Sequence, residues 1–474
     1  MITLSVSEIA ELVNGRIVGE ISDSSWAFDV LVTGSVETDS RLVGTGSLFV
    51  AKPGEVTDGH NFVAQALASG AVAAIVEREL PQLEIAQILV SDSVAALGLL
   101  AKGVLARVRA AGNLKVVGIT GSNGKTTTKN MLRAILSTVG PTIAPIESYN
   151  NEVGAPISVL KVTPETRFLV AELGAGGPGS IAYLTDIVRP DIAVELKVGL
   201  AHAGEFGGIE TTAAIKAELL VGSSNQTIAV LNADDVAVRA MAEDFAGPKI
   251  WFGTSSQAGY RADNHSLSLA GTAFDLHWPD ASVNRVTLQI LGEHHVMNAL
   301  ASAAVADTLG VPRQDILAAL EAMPLAERWR MQLTNRTDVV AIINDAYNAS
   351  PDSSRAALQT LAQLGRVSGR RTVAIIGEMA ELGKYSAEEH DKLGRLAVRL
   401  NIDLLIAVGA AAKLVFMGAS FEGSFDGEAR YFESIDEALT GARELIRAGD
   451  IVLIKSSKSA NLRHLGDALL EVNA

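Results

Sequence analysis

Short apolar segments alternate with helical stretches along most of the chain. From residue 115 to about residue 325, runs that predict buried strands are separated by stretches with helical spacing, and the third part of the chain repeats this alternation. The order predicts mainly parallel sheets with helices on both faces. The predicted strands are 47–51, 71–76 and 88–90 in the first block, 115–120, 167–173, 191–196 and 227–232 in the second, and 339–343, 372–376, 404–408 and 451–455 in the third.

Three domains follow from this pattern, and the length of 474 residues suits about that number. We predict an α/β protein with a small N-terminal domain over residues 1–110, a central domain over 111–325 and a C-terminal domain over 326–474. A helix at 94–110 ends the first domain, and helices at 292–309 and 313–323 close the second.

The segment VVGITGSNGKTTTKN, at 116–130, predicts a buried strand, a glycine-rich turn and the start of a helix. Gly121 and Gly124 would let the backbone pass close to a phosphate group with its N–H groups pointing inward. Lys125 would bring a positive charge to the β- and γ-phosphates, and Thr126 a hydroxyl to Mg²⁺. The helix aims the positive end of its dipole at the same point. The segment predicts ATP binding; the alternative is an ordinary strand–turn–helix with an incidental lysine.

Charge and composition exclude several classes of protein. The net formal charge of −15 argues against nonspecific nucleic-acid binding. The chain has no cysteine, which excludes disulfides, thiolate catalysis and cysteine metal sites. The first residues, MITLSVSEIA, lack the pattern of a secretory signal, and no uncharged apolar stretch is long enough to span a bilayer. We expect a cytoplasmic monomer with no nucleic-acid partner and no membrane span.

Polar and glycine-rich segments directly follow the predicted strands of the second and third blocks. Ligands gather at the carboxyl ends of strands in open α/β sheets, so two such edges predict an active site between domains. The alternative is that turns are polar in any protein. The segments are GSNGKTTT after the first central strand, Glu172, residues 232–235 (NADD), 344–347 (NDAY), 377–379 (GEM) and 456–458 (SSK).

Several single side chains also have two interpretations. Asn150 or Asn151 is either the cap of a following helix or an amide near metal or phosphate. Lys216 lies on an apolar helix face, where a lysine ordinarily extends its amine to solvent. His294 and Asn298 are four residues apart and therefore share a helix face.

Together these segments resemble the Mur ligase family, ATP-dependent enzymes that form amide bonds in peptidoglycan precursors. The resemblance covers essentially the whole chain. It depends on TGSNGKTTT (120–128), SYNNEVGAP (148–156), AELGAG (171–176), VGLAH (198–202), IKAEL (215–219), LNADD (231–235), GEHHVMNALA (292–301) and NDAYNASPDS (344–353). It implies an N-terminal domain that binds the UDP end of the substrate, a central ATPase domain of the phosphate-loop type and a C-terminal Rossmann-like domain.

Within the family, two segments are similar to the member that joins D-alanyl-D-alanine to UDP-N-acetylmuramoyl-tripeptide through an acyl-phosphate. They are NDAYNASPDS and GEMAELGKYSAEEH (377–390). In addition, TDSR (38–41) and KPGEVTDGHNF (52–62) resemble the segments that hold the UDP end of that substrate. The products would be UDP-N-acetylmuramoyl-pentapeptide, ADP and phosphate. The third residue of the tripeptide, meso-diaminopimelate or lysine, is left open.

The resemblance also implies roles for individual residues. Catalysis would fall to Lys125, His202 and Lys216, with Lys216 converted to a carbamate by CO₂. Two Mg²⁺ ions would be held by Thr126, Glu172, His202 and Lys216. Asn298 would contact adenine, Asp345 the ribose, and Arg330 would lie near the domain junction, with Arg328 as the competing choice. The nucleotide contacts would be Gly121, Ser122, Asn123, Gly124, Lys125, Thr126, Thr127, Asn298, Arg330 and Asp345. The other substrates would contact Ser40, Arg41, Lys52, Asp58, His60, Asn150, Asn151, Asn348, Glu381 and Lys458.

Four positions depart from the family pattern. Lys197 and Ser350 each stand where asparagine is usual, and the last strand ends in KSSK (455–458) rather than Lys-Gly-Ser-Arg, so Ser456 and Lys458 also differ. Separately, Glu195 lies inside an apolar strand, and the sequence does not explain it. Three other functions stay open, and the departures bear on the second of them. They are a nucleotide-dependent switch or plain ATPase, a catalytically silent protein that binds a UDP-sugar, and a sister amide ligase such as a folate-type glutamate ligase.

Overall fold

Three sheets, each flanked by helices, account for most of the strands in the computed structural model. The structure describes residues 1–18, 30–54, 57–145, 148–201, 203–323, 327–423 and 426–471. Within these ranges the helices are Val6–Leu12, Val63–Ala68, Ser93–Ala111, Lys125–Leu136, Gly154–Val159, Ser180–Val188, Ala203–Phe206, Ile209–Val221, Val236–Glu243, His294–Thr308, Arg313–Ala322, Pro351–Ser368, Ser386–Arg399, Lys413–Ser420, Ile435–Leu445 and Leu462–Ala468. Short 3₁₀ turns lie at Gly59–Phe62, Gly383–Tyr385 and Lys458–Ala460.

The N-terminal part contains a five-stranded sheet of order β2-β7-β6-β5-β4. Strands β4 to β7 run parallel and β2 pairs antiparallel with β7. Phe49, Val63 and Ala74 are buried together on one of its faces. The bounds are β2 Arg16–Val18, β4 Val36–Glu37, β5 Ser47–Val50, β6 Ala71–Val76 and β7 Ala86–Leu89; a separate antiparallel pair joins β1 (Leu4–Ser5) to β3 (Leu31–Val32).

The central part contributes a nine-stranded sheet of order β16-β15-β14-β13-β12-β11-β8-β10-β9. Strand β10 pairs parallel with β8, in a register that places Glu172 opposite Ile119. At the other end, β14, β15 and β16 pair antiparallel. The bounds are β8 Lys115–Thr120, β9 Thr142–Ile143, β10 Phe168–Glu172, β11 Ile192–Glu195, β12 Ile228–Asn232, β13 Lys249–Gly253, β14 Tyr260–Ser268, β15 Gly271–His277 and β16 Val283–Leu288.

The C-terminal part contains a six-stranded sheet of order β17-β18-β22-β19-β20-β21, parallel except for β17 at its edge. Buried aliphatic clusters cover both faces, which explains why its strands are continuous apolar runs. The bounds are β17 Gln332–Asn335, β18 Ala341–Asp345, β19 Thr372–Ile376, β20 Leu404–Val408, β21 Glu428–Phe432 and β22 Ile451–Lys455.

The prediction of an α/β fold with mainly parallel sheets is confirmed. Every predicted strand is present with ends shifted by at most two residues, and the helix predicted at 94–110 extends over Ser93–Ala111. The sequence pattern missed the extension β13 to β16. In its antiparallel part, β14 and β16 largely alternate buried and exposed side chains, because an antiparallel sheet with one face in solvent lacks the continuous apolar runs of buried strands. Strand β13 pairs parallel with β12 and β14.

Contacts between Cα atoms divide the chain into two units that do not follow the predicted domain limits. The first holds residues 1–120, 139–193 and 218–228; the second holds 121–138, 194–217 and 229–474. The limits at residues 110 and 325 remain a prediction. Among the described residues, no helix combines the length and apolar character that crossing a membrane requires.

Candidate active site

The loop at residues 121–124 joins β8 to the helix Lys125–Leu136, as predicted. Gly121 and Gly124 have φ values of 146° and 88°, in the region that favours glycine. The Lys125 Nζ donates a hydrogen bond to the Gly121 carbonyl oxygen at 2.7 Å, which places the ammonium group across the loop. The geometry fits a loop that holds phosphate between backbone N–H groups and a lysine.

Gly124 also has a packing role that the sequence did not indicate. A Cβ added at this position would lie 2.3 Å from Asn298 Oδ1. Asn298 is 6% exposed on the helix His294–Thr308, and its Nδ2 lies 3.3 Å from His295 Nδ1. The predicted adenine contact therefore lies directly against the phosphate loop, and only glycine at position 124 leaves room for it.

Ser122, predicted as a nucleotide contact, makes its hydrogen bonds within the protein. Its N–H donates to the carbonyl oxygen of Lys197 at 2.7 Å. Its Oγ accepts the N–H of Gly199 at 2.9 Å and lies 3.2 Å from the Gly199 carbonyl oxygen. Ser122 thus joins the phosphate loop by hydrogen bonds to residues 197 and 199, in the turn after β11.

Arg330 and Arg328, the two candidates for the domain junction, have different surroundings. Arg330 Nη2 donates to Thr126 Oγ1 at 3.4 Å, and its guanidinium lies 4.4 Å from the centroid of the Tyr347 ring. Arg328 pairs instead with Asp467 at 2.9 Å and is 64% exposed. The structure therefore brings Arg330, and not Arg328, to the phosphate loop.

A buried ionic chain that the sequence did not indicate supports Arg330. Glu327 lies 3.1 Å from Arg330 Nε and 3.5 Å from the Nζ of Lys129. Lys129 is fully buried in the helix that begins at the phosphate loop. Because a buried charge requires a partner, this helix and Arg330 are held together through Glu327.

Asp345, the predicted ribose contact, ends β18 and already has protein partners on both oxygens. Lys455 Nζ donates to Oδ2 at 2.6 Å, and the N–H of Met331 donates to Oδ1 at 3.0 Å. Lys455 also reaches the carbonyl oxygen of Asn348 at 2.9 Å. Any further contact of Asp345 must use the remaining lone pairs of these oxygens. The pairing with Lys455 was not predicted, since the two strands are adjacent only in the folded sheet.

Glu172 and the asparagine pair of 150–151 lie together in the first unit. Asn150 Nδ2 donates to Glu172 Oε1 at 2.7 Å. Asn151 Oδ1 accepts the N–H of Gly154 at 2.8 Å, where the helix Gly154–Val159 begins. Asn151 thus accepts an N–H group at the start of the helix, and Asn150 holds the carboxylate of Glu172. A role of either amide near metal or phosphate remains a prediction.

Lys216 is buried, with 3% of its surface exposed, so it does not extend its amine to solvent. Glu195, at the end of β11, is fully buried. Burial raises the pKa of Glu195 well above its usual range, the charge of Lys216 opposes that shift, and Asp235 adds to it. Lys216 is therefore the cationic neighbour of the buried Glu195. His202, the other predicted ligand here, lies outside the described residues.

The N-terminal candidates are largely engaged with one another. His60 is 4% exposed; its Nδ1 lies 2.6 Å from Asp58 Oδ1, and its Nε2 accepts the N–H of Glu77 at 2.8 Å. The N–H of His60 and the Arg78 guanidinium hold the pKa of Asp58 well below its usual range. With both ring nitrogens used, His60 orders this segment, and a substrate role for it remains a prediction.

Three further N-terminal candidates differ in exposure. Ser40 is buried and its Oγ donates to Gln65 Oε1 at 3.0 Å. Arg41 is 81% exposed and forms a two-point ion pair with Asp39, which lowers the pKa of Asp39 to about 2. Lys52 is half-buried. Arg41 and Lys52 are accessible to an anionic substrate, whereas Ser40 is not.

The C-terminal substrate candidates lie in or beside exposed loops. Asn348 and Glu381 are exposed, and Glu381 has a φ of 64°. The carbonyl oxygen of Glu381 accepts the N–H of Gly204 at 3.2 Å. Lys458 Nζ lies 5.4 Å from the centroid of the Tyr347 ring, the same ring that Arg330 contacts. Lys458 therefore faces the same aromatic side chain as the arginine beside Thr126.

Thr126 and Glu172, each taken by itself, are suitable in kind as Mg²⁺ ligands. Across the part of the chain that the structure describes, no three His, Cys, Asp or Glu side chains gather as metal ligands. A buried hydroxyl at Thr126 and a buried, oriented carboxylate at Glu172 are the kinds of ligand that Mg²⁺ uses alongside substrate phosphates.

The loop at residues 121–124, with Lys125 across it and Asn298 beside it, defines a nucleotide-binding class of protein. The chain belongs to the Mur ligase family. Three family models match: "Mur ligase family, catalytic domain" at residues 33–104, "Mur ligase middle domain" at 119–306 and "Mur ligase, glutamate ligase domain" at 329–458. The predicted family is confirmed.

Named relatives match almost the whole length of this chain. The UDP-N-acetylmuramoyl-tripeptide–D-alanyl-D-alanine ligase of Mycobacterium tuberculosis is 42% identical over 99% of this chain and 98% of its own. The crystal structure of MurF from Acinetobacter baumannii matches with a TM-score of 0.87 at 33% identity, over 99% of both chains. MurF of Thermotoga maritima, solved in complex with ADP, matches with a TM-score of 0.80 at 28% identity, over 93% of this chain and 97% of that one.

Proposed function

We propose that this protein is an ATP-dependent ligase that joins D-alanyl-D-alanine to UDP-N-acetylmuramoyl-tripeptide. The observation that carries the proposal is the likeness, at 42% identity over 99% of the chain, to a relative named for that reaction. The phosphate loop, with Lys125 held across it and Asn298 against it, supports the use of ATP. The T. maritima relative solved with ADP supports the same nucleotide.

The first step activates the carboxylate of the tripeptide, which is a poor electrophile. One carboxylate oxygen attacks the γ-phosphorus of ATP, the bond from that phosphorus to the β–γ bridging oxygen breaks, and ADP leaves with an acyl-phosphate as the other product. Lys125 and the N–H groups of the loop would stabilise the negative charge on the transferring group. Arg330, fixed beside Thr126 by Glu327, would add a second cation at the same place.

The second step forms the amide. The neutral amine of D-alanyl-D-alanine attacks the acyl carbon, and the tetrahedral intermediate loses phosphate as its carbon–oxygen bond breaks. The proton released by the amine passes to a base or to water. Lys458 and the exposed Glu381 are the charged candidates for contacting the dipeptide in the C-terminal part.

Thr126, Glu172, His202 and Lys216 would hold two Mg²⁺ ions, which would supply positive charge to the phosphates. Lys216 would take part as a carbamate, formed when its neutral amine adds to CO₂ and releases a proton. Its burial supports this role, because a carbamate at this position would be shielded from bulk water. Arg41 and Lys52, both accessible in the N-terminal part, would meet the diphosphate of the UDP group.

Phosphate release with each substrate omitted in turn tests the proposal. The ligase requires ATP, the UDP-tripeptide and D-alanyl-D-alanine together for sustained release. Release without the peptide substrates would indicate a plain ATPase or switch, and binding of the UDP-substrate with no ADP formed would indicate a silent binding protein. Release only with a folate and glutamate would indicate the sister ligase. Any of these three results would overturn the proposal.

A further inference from the structure

The turn at residues 197–200 is held from two sides. Ser122 of the phosphate loop binds the turn on one side through Lys197 and Gly199. On the other side, Asp352 of the helix Pro351–Ser368 accepts the N–H of Leu200 on Oδ2 at 3.3 Å. Asp352 Oδ1 lies 3.6 Å from Lys197 Nζ, so one carboxylate contacts both the backbone and a side chain of the turn.

The close approach of Asp352 depends on glycine at position 199. A Cβ there would lie 2.2 Å from Asp352 Oδ2, closer than any two such atoms can come. The Asp352 side chain is 22% exposed and that of Lys197 is 47% exposed, so the ion pair is partly shielded from water. The contact therefore has a defined geometry in addition to opposite charges.

The N-terminal end of the same helix also contacts the phosphate loop directly. Ser350 caps the helix, since its Oγ accepts the N–H of Ser353 at 3.3 Å. The same Oγ lies 3.2 Å from Asn123 Oδ1 of the phosphate loop and donates to it. Ser350 is 4% exposed, so this hydrogen bond is protected from competing water.

We propose that Asp352 is a positioning residue that, with Lys197 and Ser350, holds the phosphate loop in the conformation that binds nucleotide. We name these contacts of Asp352 and Ser350 the helix–loop clasp. A loop that is already ordered loses less conformational entropy when its ligand binds, so the clasp raises nucleotide affinity without touching the nucleotide. The inference rests on the proposed function of the loop at 121–126.

Two departures from the family pattern thereby acquire a common role. The asparagine usual at position 197 has no charge and a shorter side chain, so it cannot form the ion pair that Lys197 forms with Asp352. Ser350, where asparagine is also usual, supplies the hydroxyl that reaches Asn123. Both residues therefore link the start of the helix Pro351–Ser368 to the phosphate loop, Ser350 directly through Asn123 and Lys197 through the turn that Ser122 binds.

The test measures the Kd of a fluorescent ADP analogue and the KM for ATP in a double-mutant cycle. Lys197→Met removes a partly exposed ion pair and should weaken binding about 2- to 5-fold. Asp352→Asn removes the same ion pair and also weakens the hydrogen bond that the Leu200 N–H donates to this side chain. It should weaken binding of the analogue roughly 10-fold. The double variant Lys197→Met with Asp352→Asn should bind the analogue no more weakly than Asp352→Asn alone. Lys197→Arg, which keeps the positive charge, should retain most of the wild-type affinity. Arg355→Met, which removes an exposed cation from the same helix, is the matched control and should change neither constant.

Salt and thermal unfolding separate positioning from general stability. Raising the salt to about 0.5 M screens the pair, so the Kd of the wild type should rise toward that of Lys197→Met, whose own Kd should change less. The KM for the UDP-tripeptide and the melting temperature should stay near wild-type values in the single variants. Independent effects of the two substitutions, or effects no larger than that of Arg355→Met, would overturn the clasp.

The binding measurement also separates this inference from the proposed function. If the wild type binds the ADP analogue but never forms ADP from ATP with both peptide substrates, the proposed ligase is wrong, and coupling in Kd still supports the clasp. If the wild type is an active ligase and the two substitutions act independently, the clasp alone is wrong. Failure to bind the analogue at all would refute both.

Discussion

Replacing Gly124 by alanine tests whether the phosphate loop packs directly against Asn298, the predicted adenine contact. The φ of 88° is a left-handed conformation, which costs a residue with a Cβ about 1–2 kcal/mol. The new Cβ would lie 2.3 Å from Asn298 Oδ1, so this side chain must retreat by about 1 Å to reach the ordinary contact distance of 3.4 Å. The retreat breaks its contact with His295, and a buried polar group that loses its partner costs about 1–3 kcal/mol more.

Gly409→Ala is the matched control for this experiment. Gly409 has the same φ of 88°, and a Cβ there would have nothing within 4 Å. It should therefore show the conformational cost alone, about 1–2 kcal/mol. Gly124→Ala should lose about 2–5 kcal/mol of unfolding free energy in urea, and at least tenfold in affinity for a fluorescent ADP analogue.

A second variant distinguishes steric contact from strain. In Gly124→Ala with Asn298→Ala, the two atoms closest to the new Cβ are absent and only the ordinary contact with Leu196 at 3.4 Å remains. Part of the stability lost in Gly124→Ala should therefore return, while nucleotide affinity stays low. If Gly124→Ala is no less stable than Gly409→Ala and binds the analogue normally, the assigned contact between the loop and Asn298 is wrong.

Other predictions concern the proposed chemistry and a buried histidine. Lys125→Ala should abolish phosphoryl transfer, measured as ADP formation, while binding of the UDP-substrate by calorimetry stays largely intact; loss of both would contradict the assignment. Lys216→Ala should lose most activity and regain part of it with added short carboxylic acids, and full activity in the plain variant would remove Lys216 from the metal site. Burial, opposed in part by Asp345, lowers the pKa of His294 to about 4. In the unfolded chain this histidine has its ordinary pKa of about 6.5, so between pH 6.5 and 4 the unfolded state binds more protons than the folded state. The unfolding free energy should therefore fall as the pH decreases from 6.5 toward 4. Between pH 7.5 and 5.0 the wild type should lose about 2 kcal/mol more than His294→Asn in urea titrations, and equal losses would contradict the burial argument.

Local patterns in the sequence were sufficient for the buried parallel strands that were predicted and for the phosphate loop. The strand, turn and helix around Gly121 and Gly124 depend on neighbouring residues, because left-handed turns and continuous apolar strands are set by steric limits and burial within a few positions. The alternation of such strands with helices also determines a mainly parallel α/β fold. For the same reason, the family could be predicted from motifs that are each contiguous in the chain.

Only the tertiary structure decided which distant side chains meet. Arg330 reaches Thr126 across 204 positions of sequence while Arg328 turns to Asp467. Lys455 neutralises Asp345 across 110 positions because β18 and β22 are neighbours in the sheet. No local pattern specifies such pairs, since the sequence separation is spanned by packing whose geometry depends on every element between them. The chain alone therefore specified a nucleotide loop, and the fold determined which charges surround it.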